Sequence, residues 1–237
     1  MKCSVERLIE SLIAVEFAQA RKAAEDKAAL ARKASYVVTV SRGFGSLGKQ
    51  IAQALADRLD VRCCDRSILE GVAQRADVDI ELVKRLDENL EHSITSPWKE
   101  FFKGKSFPKE RYLHFLVKVV LNISQQGGVI VGRGAHLILG PDKAFRVRII
   151  GSLENCAQRV AEREQIDIEA ARESVMTINR QRADYLQQLY GEGINDCSDY
   201  DLTINTDRFD IEAAIELILH SMQLAGYDLP KEQAQAV

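Results

Sequence analysis

A chain of 237 residues that is 46% apolar and 28% charged has the length and composition of ordinary globular material, one large domain or two small ones, and needs no disulfide or metal staple. The 32 Lys and Arg against 35 Asp and Glu leave a formal charge of −3, which excludes a general affinity for nucleic acid or anionic membranes. Five cysteines without a C-x-x-C pair read as reduced thiols, and no run approaches the 18 apolar residues of a membrane span, so a soluble cytoplasmic protein is expected.

Residues 4–33 carry Val5, Leu8, Ile9 and Leu12 at helical spacing, with Ser4 as cap and Arg32 and Lys33 in the last turn. This predicts a helical extension over residues 1–35, outside the main domain at 36–237. Its stripe is expected to make a dimer contact with a second copy, or else to brace its own core.

At Tyr36 the pattern changes. Tyr36–Val40 is a β-branched apolar run of the kind that forms a buried parallel strand. A glycine-rich turn follows, then Ile51, Ala52, Leu55 and Leu59 at helical spacing. Val61–Cys64 reads as a second strand ending at Asp65, with helical patterns at Ile68–Ala76 and Leu82–Leu90. Ser93–Pro108 is an aromatic, Gly/Pro-punctuated loop. Tyr112–Ile123 restores the helical period as far as Gly127-Gly128. Val129–Val131, Phe145–Ile150 and Tyr200–Ile204 read as strands three to five, residues 153–190 as helical and arginine-rich, and Asp210 as the cap of a final helix. Strands alternating with helices predict an α/β domain with a parallel sheet.

Gly43-Phe44-Gly45-Ser46-Leu47-Gly48-Lys49 fits G-x-x-x-x-G-K on a strand–helix junction. Glycines let successive backbone N–H groups turn onto an anion, the helix start adds partial positive charge, and Lys49 reaches the outer phosphates. A bare glycine-rich turn with a surface lysine is the alternative. Gln50 and Ile51 follow where a Ser or Thr ordinarily touches Mg²⁺, so that hydroxyl comes from Ser41 or Ser46, or water replaces it.

Other candidates sit at strand ends, where open α/β sheets place ligands. Asp65-Arg66 follows strand two, with Asp65 equally a helix cap. Gly132-Arg133-Gly134 follows strand three, with Arg133 either a ligand group or a solvated turn residue. Asn205-Thr206-Asp207 follows strand five, and Asn205 is equally a turn residue. Arg159, Arg163, Arg172, Arg180 and Arg182 cluster between strands four and five, each alone a solvated charge but together suited to clamp phosphoryl oxygens. His92, His114, His136 and His220 share no ligand spacing, so no metal site is expected.

Thr39–Gly48, Cys64-Asp65-Arg66, Ile130–Ala135 and Tyr200–Thr206 together resemble the cytidylate kinase-like family of P-loop kinases, over about Tyr36 to Leu224. The resemblance implies a five-stranded sheet of order 2-3-1-4-5, a monophosphate-binding insert at about 93–110 and an arginine-bearing lid at about 159–193. It implies Mg²⁺-ATP as donor and CMP or dCMP as acceptor. Gly43 through Gln50 with Asn205 and Thr206 would bind ATP, and Asp65, Arg66, Arg111, Arg133, Arg180 and Asp184 the acceptor. Lys49, Arg133, Arg159 and Arg163 would act on the transferred group. Phe107–Arg111 resembles the F-P-x-x-R of bacterial cytidylate kinases, Gly132-Arg133 their G-R-D, and Arg180 with Asp184 their R-x-x-x-D. The aspartate of G-R-D is Gly134 here, a second lid arginine falls on Gln187, and the Thr after G-K-G falls on Ile51. A regulator that binds nucleotide without catalysis, or a kinase for another small acceptor, remains the alternative.

Overall fold

The computed structural model describes residues 36–65, 109–191 and 196–229, with the side chain of Arg111 excepted. The expected N-terminal helix, the helices at 68–76 and 82–90 and the loop at 93–108 lie outside the described residues.

Within them the chain runs β1 (Val37–Arg42), α1 (Gly48–Arg58), β2 (Cys63–Cys64), α2 (Lys109–Gln126), β3 (Gly128–Val131), α3 (Ala135–Leu139), β4 (Phe145–Ile150), α4 (Leu153–Glu164), α5 (Ile168–Tyr190), a 3₁₀ turn (Cys197–Asp199), β5 (Leu202–Asn205) and α6 (Ile211–Leu224). The strands pair in parallel in the order β2-β3-β1-β4-β5, as the resemblance implies. Val38 is in register with both Val129 and Phe145, which makes β1 the central strand.

Alternation along β1 supplies both layers. Val38 and Val40 pack with Ile51 and Leu55 of α1 and Ile215 and Ile218 of α6. Val37 faces the other way, toward Leu116 and Val120 of α2, Leu139 of α3, and Tyr185 and Leu189 of α5. Each such buried side chain contributes roughly 1.5–3 kcal/mol over an exposed one, so the two layers hold the sheet on both faces.

The helical stretch expected over 153–190 is two helices. Gln165 turns left-handed (φ 56°) after α4, and the Asp167 carboxylate accepts the Glu169 and Ala170 N–H groups to start α5. The pair closes on its own small core of Cys156, Ala157, Val160, Ala171 and Val175, and Phe44 of the glycine-rich loop packs against it. Asp210 caps α6 as expected, accepting the Ala213 N–H at 2.9 Å. Among the described residues no helix is long and apolar enough to cross a membrane.

Candidate active site

The glycine-rich loop leaves β1 at its C-terminal end, where the Gly43 N–H still bonds the Ile149 carbonyl of β4 at 3.0 Å. Gly45 (φ 78°) and Leu47 (φ 62°) both turn left-handed, which curls the loop over the start of α1. Gly45 is obligatory on a second ground: an added Cβ would lie 2.6 Å from the Cys156 carbonyl oxygen of α4. Whereas α4, α5 and α6 begin with a side-chain cap, α1 at Leu47 and α3 at Gly134 begin with none. The first N–H groups of α1 take no side-chain cap, the arrangement that phosphate loops use to meet an anion. Lys49 stands exposed in the first turn and forms no ion pair with a described residue, and Gln50 beside it is exposed.

Both candidate hydroxyls for a metal are engaged. The buried Ser46 Oγ lies within hydrogen-bonding reach of the Gly43 and Ile149 carbonyls at 3.0 and 3.2 Å. The buried Ser41 Oγ accepts from the Tyr200 hydroxyl at 3.3 Å. Among the described residues no three His, Cys, Asp or Glu side chains gather as metal ligands. A Mg²⁺ ion held here would take its ligands mainly from a bound nucleotide's phosphates and water, a coordination that it readily accepts.

The second site element follows β3. Gly132 (φ 73°), Arg133 (φ 58°) and Gly134 (φ 69°) are left-handed in succession. For an arginine this conformation is strained, and strain of this kind persists where surrounding contacts impose it. Here the Gly132 N–H bonds the Val40 carbonyl of β1 at 3.0 Å, and the Tyr190 hydroxyl donates to the Arg133 carbonyl at 2.8 Å. The Arg133 guanidinium lies 6.0 Å from the centroid of the buried Tyr185 ring, whose hydroxyl is 3.3 Å from that of Tyr112. Because β1 and β3 are hydrogen-bonded neighbours, the phosphate loop and the Arg133 turn leave adjacent strand ends.

The α4–α5 pair reaches the loop through several groups. Asn179 Oδ1 accepts the Phe44 N–H at 2.8 Å, and the Arg182 Nη1 donates to the Arg42 carbonyl at 3.1 Å. Arg163 and Arg182 lie over the Phe44 ring at 5.1 and 5.8 Å. Arg159 donates to the Thr206 hydroxyl at 3.1 Å and its carbonyl at 2.7 Å, with a longer contact to the Gly45 carbonyl at 3.4 Å. It therefore joins α4, the loop and the end of β5. Arg172 instead pairs with Glu154 and Glu169 on the outer surface.

Thr206 is buried and donates to the Ile150 carbonyl at 3.0 Å, while the exposed Asn205 closes a turn by accepting the Asp207 N–H at 2.9 Å. Asp65 pairs with Arg42 at 3.6 Å. Arg180 is exposed and Asp184 half-buried, one helical turn apart on α5. Arg66 lies outside the described residues, as does the side chain of Arg111 in the first turn of α2. Sequence reasoning singled out neither Asn179 nor Tyr190 nor the side chain of Arg42. Arg182 belongs to the arginine cluster expected to clamp phosphoryl oxygens, and here it meets the Arg42 carbonyl and the Phe44 ring.

Beneath the site is a buried polar knot. The Tyr200 hydroxyl accepts from Arg148 Nη1 at 3.2 Å and lies 3.2 Å from His136 Nε2, with the two rings stacked 4.8 Å apart. Burial, reinforced by the charges of Arg146 and Arg148, lowers the His136 pKa to about 3. The unfolded chain binds a proton at this histidine below about pH 6.5 while the folded chain stays neutral to about 3, so acid favours unfolding. Stability should rise with pH across that window, by about 2 kcal/mol between pH 5 and 7. Urea midpoints of the protein and of His136→Gln should show this slope in the former and a flatter one in the latter; equal slopes would refute a buried neutral histidine.

The profile of the cytidylate kinase-like family matches residues 37–208. A cytidylate kinase of Methanothermobacter thermautotrophicus is 38% identical over 181 residues, 75% of this chain and 99% of that one. Another, of Halobacterium salinarum, is 24% identical over 190 residues, 78% of this chain and 88% of its own. Among solved structures, an uncharacterized protein from Eubacterium ventriosum aligns over 80% of this chain and 99% of its own with a TM-score of 0.60 at 22% identity, a likeness of fold.

Proposed function

This chain belongs to the cytidylate kinase-like family, and from that premise we propose that it is a nucleoside monophosphate kinase transferring the ATP γ-phosphoryl group to CMP or dCMP. The observation that carries the reading is the pairing of two cationic elements on adjacent strands. An uncapped phosphate loop ends in Lys49, and beside it stands a strained turn that presents Arg133.

In this reading the loop N–H groups and Lys49 hold the donor phosphates, with Mg²⁺ carried on the nucleotide, where it would screen charge between the outer phosphates. Arg133, with Arg111, Arg180 and Asp184, holds the acceptor. The α4–α5 pair acts as the lid, Arg163 and Arg182 pressing on Phe44 and Arg159 fixing the loop against β5, so that water is excluded around the transferred group. A coupled ADP-release assay against CMP, dCMP, UMP, AMP and no acceptor tests it. CMP- or dCMP-dependent release is expected.

Two observations keep neighbouring readings in the same assay. Ile51 supplies no hydroxyl and Ser41 and Ser46 are both engaged within the protein, which favours a nucleotide-binding regulator; it would bind ATP and release no ADP with any acceptor. Gly134 carries no base-reading side chain, which favours a kinase for another small acceptor.

Arg133→Gly separates function from folding. It relieves a left-handed penalty of roughly 1–2 kcal/mol and removes the guanidinium. The melting temperature should hold or rise, while acceptor kcat/KM falls about tenfold to a hundredfold and ATP affinity stays. An equal loss of ATP affinity would assign Arg133 to the donor instead.

A further inference from the structure

Arg42 is the last residue of the central strand, and its side chain runs past the start of α1 to the ends of β2 and β3. A Cβ added at Gly48 would lie 2.4 Å from the Arg42 Cβ, and one at Gly132 would lie 2.2 Å from its Nη1. Its Nη2 stands 3.6 Å from Asp65 Oδ1 at the end of β2, and both side chains are about one-fifth exposed (20% and 23%). Gly48 of the phosphate loop and Gly132 of the Arg133 turn are thus both side-chain-free where this arginine passes between them. Its stem passes Gly48 of the element read above as the donor site, and its guanidinium lies beside Gly132 of the element read as the acceptor site.

A pure brace is the competing account, and the Asp65 contact alone is a weak one. Arg146 grips Asp201 in a short fork, with Nη2 to Oδ1 at 2.7 Å and Nε to Oδ2 at 3.2 Å. The Arg42–Asp65 contact is longer by nearly an ångström, and a loose, partly exposed ion pair adds little to stability. Arginine presents a planar set of donors suited to phosphate oxygens, and the C-terminal ends of parallel strands are where such ligands bind.

We propose that Arg42 is a substrate-contacting residue whose guanidinium takes a phosphate oxygen in the cleft between Lys49 and Arg133, exchanging its loose contact with Asp65 for that oxygen. The inference rests on the reading of this cleft as a phosphoryl-transfer site. Its carbonyl, which accepts from Arg182, would make the closing of α5 and the placing of the guanidinium one event.

The test is calorimetric titration of the full chain with inorganic tripolyphosphate, a phosphate chain without base or ribose, alongside the ADP-release assay. Arg42→Met keeps the stem and removes the charge; tripolyphosphate affinity should fall about tenfold, and Arg42→Lys should recover part of it. A brace alone would lower the melting temperature and leave the affinity of the folded protein unchanged, which overturns the proposal. Should Arg42→Met fail to fold, Asp65→Asn serves: releasing the guanidinium from its carboxylate should tighten tripolyphosphate binding severalfold, and no change or a weakening would overturn it. Wild-type protein that phosphorylates no nucleoside monophosphate, while Arg42→Met still loses tripolyphosphate, would sink the kinase reading and keep the Arg42 assignment. Normal turnover with unchanged tripolyphosphate affinity in Arg42→Met would do the reverse.

Discussion

Lys49→Ala should lower kcat/KM for ATP by about a hundredfold or more while leaving the fold intact. The side chain is exposed and forms no ion pair with a described residue, so the folded protein loses almost nothing when it goes. In the proposed reaction, what is lost is a point charge directed at oxygens that gain charge during transfer. A charged hydrogen bond contributes roughly 1.5–3 kcal/mol in binding, and removal of one preorganised group acting on developing charge commonly costs about 100-fold to 1000-fold in rate. The two contributions separate experimentally: equilibrium binding of a fluorescent ATP analogue reads the first, single-turnover rates the second. A variant with unaltered circular dichroism and wild-type ATP affinity and rate would remove the phosphate loop from the mechanism.

The features of this chain that were legible in its sequence are those whose physics is local. Tyr36–Val40 reads as a buried strand because its apolar, β-branched run needs no partner to be recognised, and β4 occupies Phe145–Ile150, where the fourth strand is expected. The loop Gly43–Lys49 and the turn Gly132–Gly134 are contiguous, so their glycines announce them. The break between α4 and α5 is hidden by contrast. Its left-handed residue is Gln165 rather than glycine, and the apolar spacing continues through Ile168 and Ala171. Helix α3 (Ala-His-Leu-Ile-Leu) is too short to show a period. Asn179 reaches the loop across 135 residues of chain, and a polar residue in mid-helix carries no sign of such a partner. From the sequence Asp65 is a ligand or a helix cap; its ion pair with Arg42 depends on the order of strands, which no local pattern displays.

Gly134→Ala should be among the most damaging single-methyl changes in the chain, and Tyr190 is the reason. The added Cβ would sit 2.3 Å from Tyr190 Cε2, 2.6 Å from Cζ and 2.8 Å from the hydroxyl oxygen. The ring cannot swing away without breaking its hydroxyl's bond to the Arg133 carbonyl, and the residue is buried against α2 and α3. Two penalties combine: roughly 1–2 kcal/mol for a left-handed alanine and roughly 1–3 kcal/mol for overpacking, about 2–5 kcal/mol in all. For a domain of this size that is a large share of the whole stability, so a fall of roughly 5–15 °C in melting temperature is expected. The same packing bears on the acceptor. In the bacterial cytidylate kinases that this turn resembles, an aspartate stands where this chain has Gly134. Here the space for any such side chain is filled by the Tyr190 ring, so Gly134→Asp should unfold the turn rather than restore a base-reading carboxylate. A double-mutant cycle isolates the cause. In a Tyr190→Ala background, Gly134→Ala should cost only the left-handed term, giving a coupling of roughly 1–3 kcal/mol by urea denaturation. Additive losses in the cycle would show that Tyr190 does not impose the glycine, and would return position 134 to the residues that set acceptor choice.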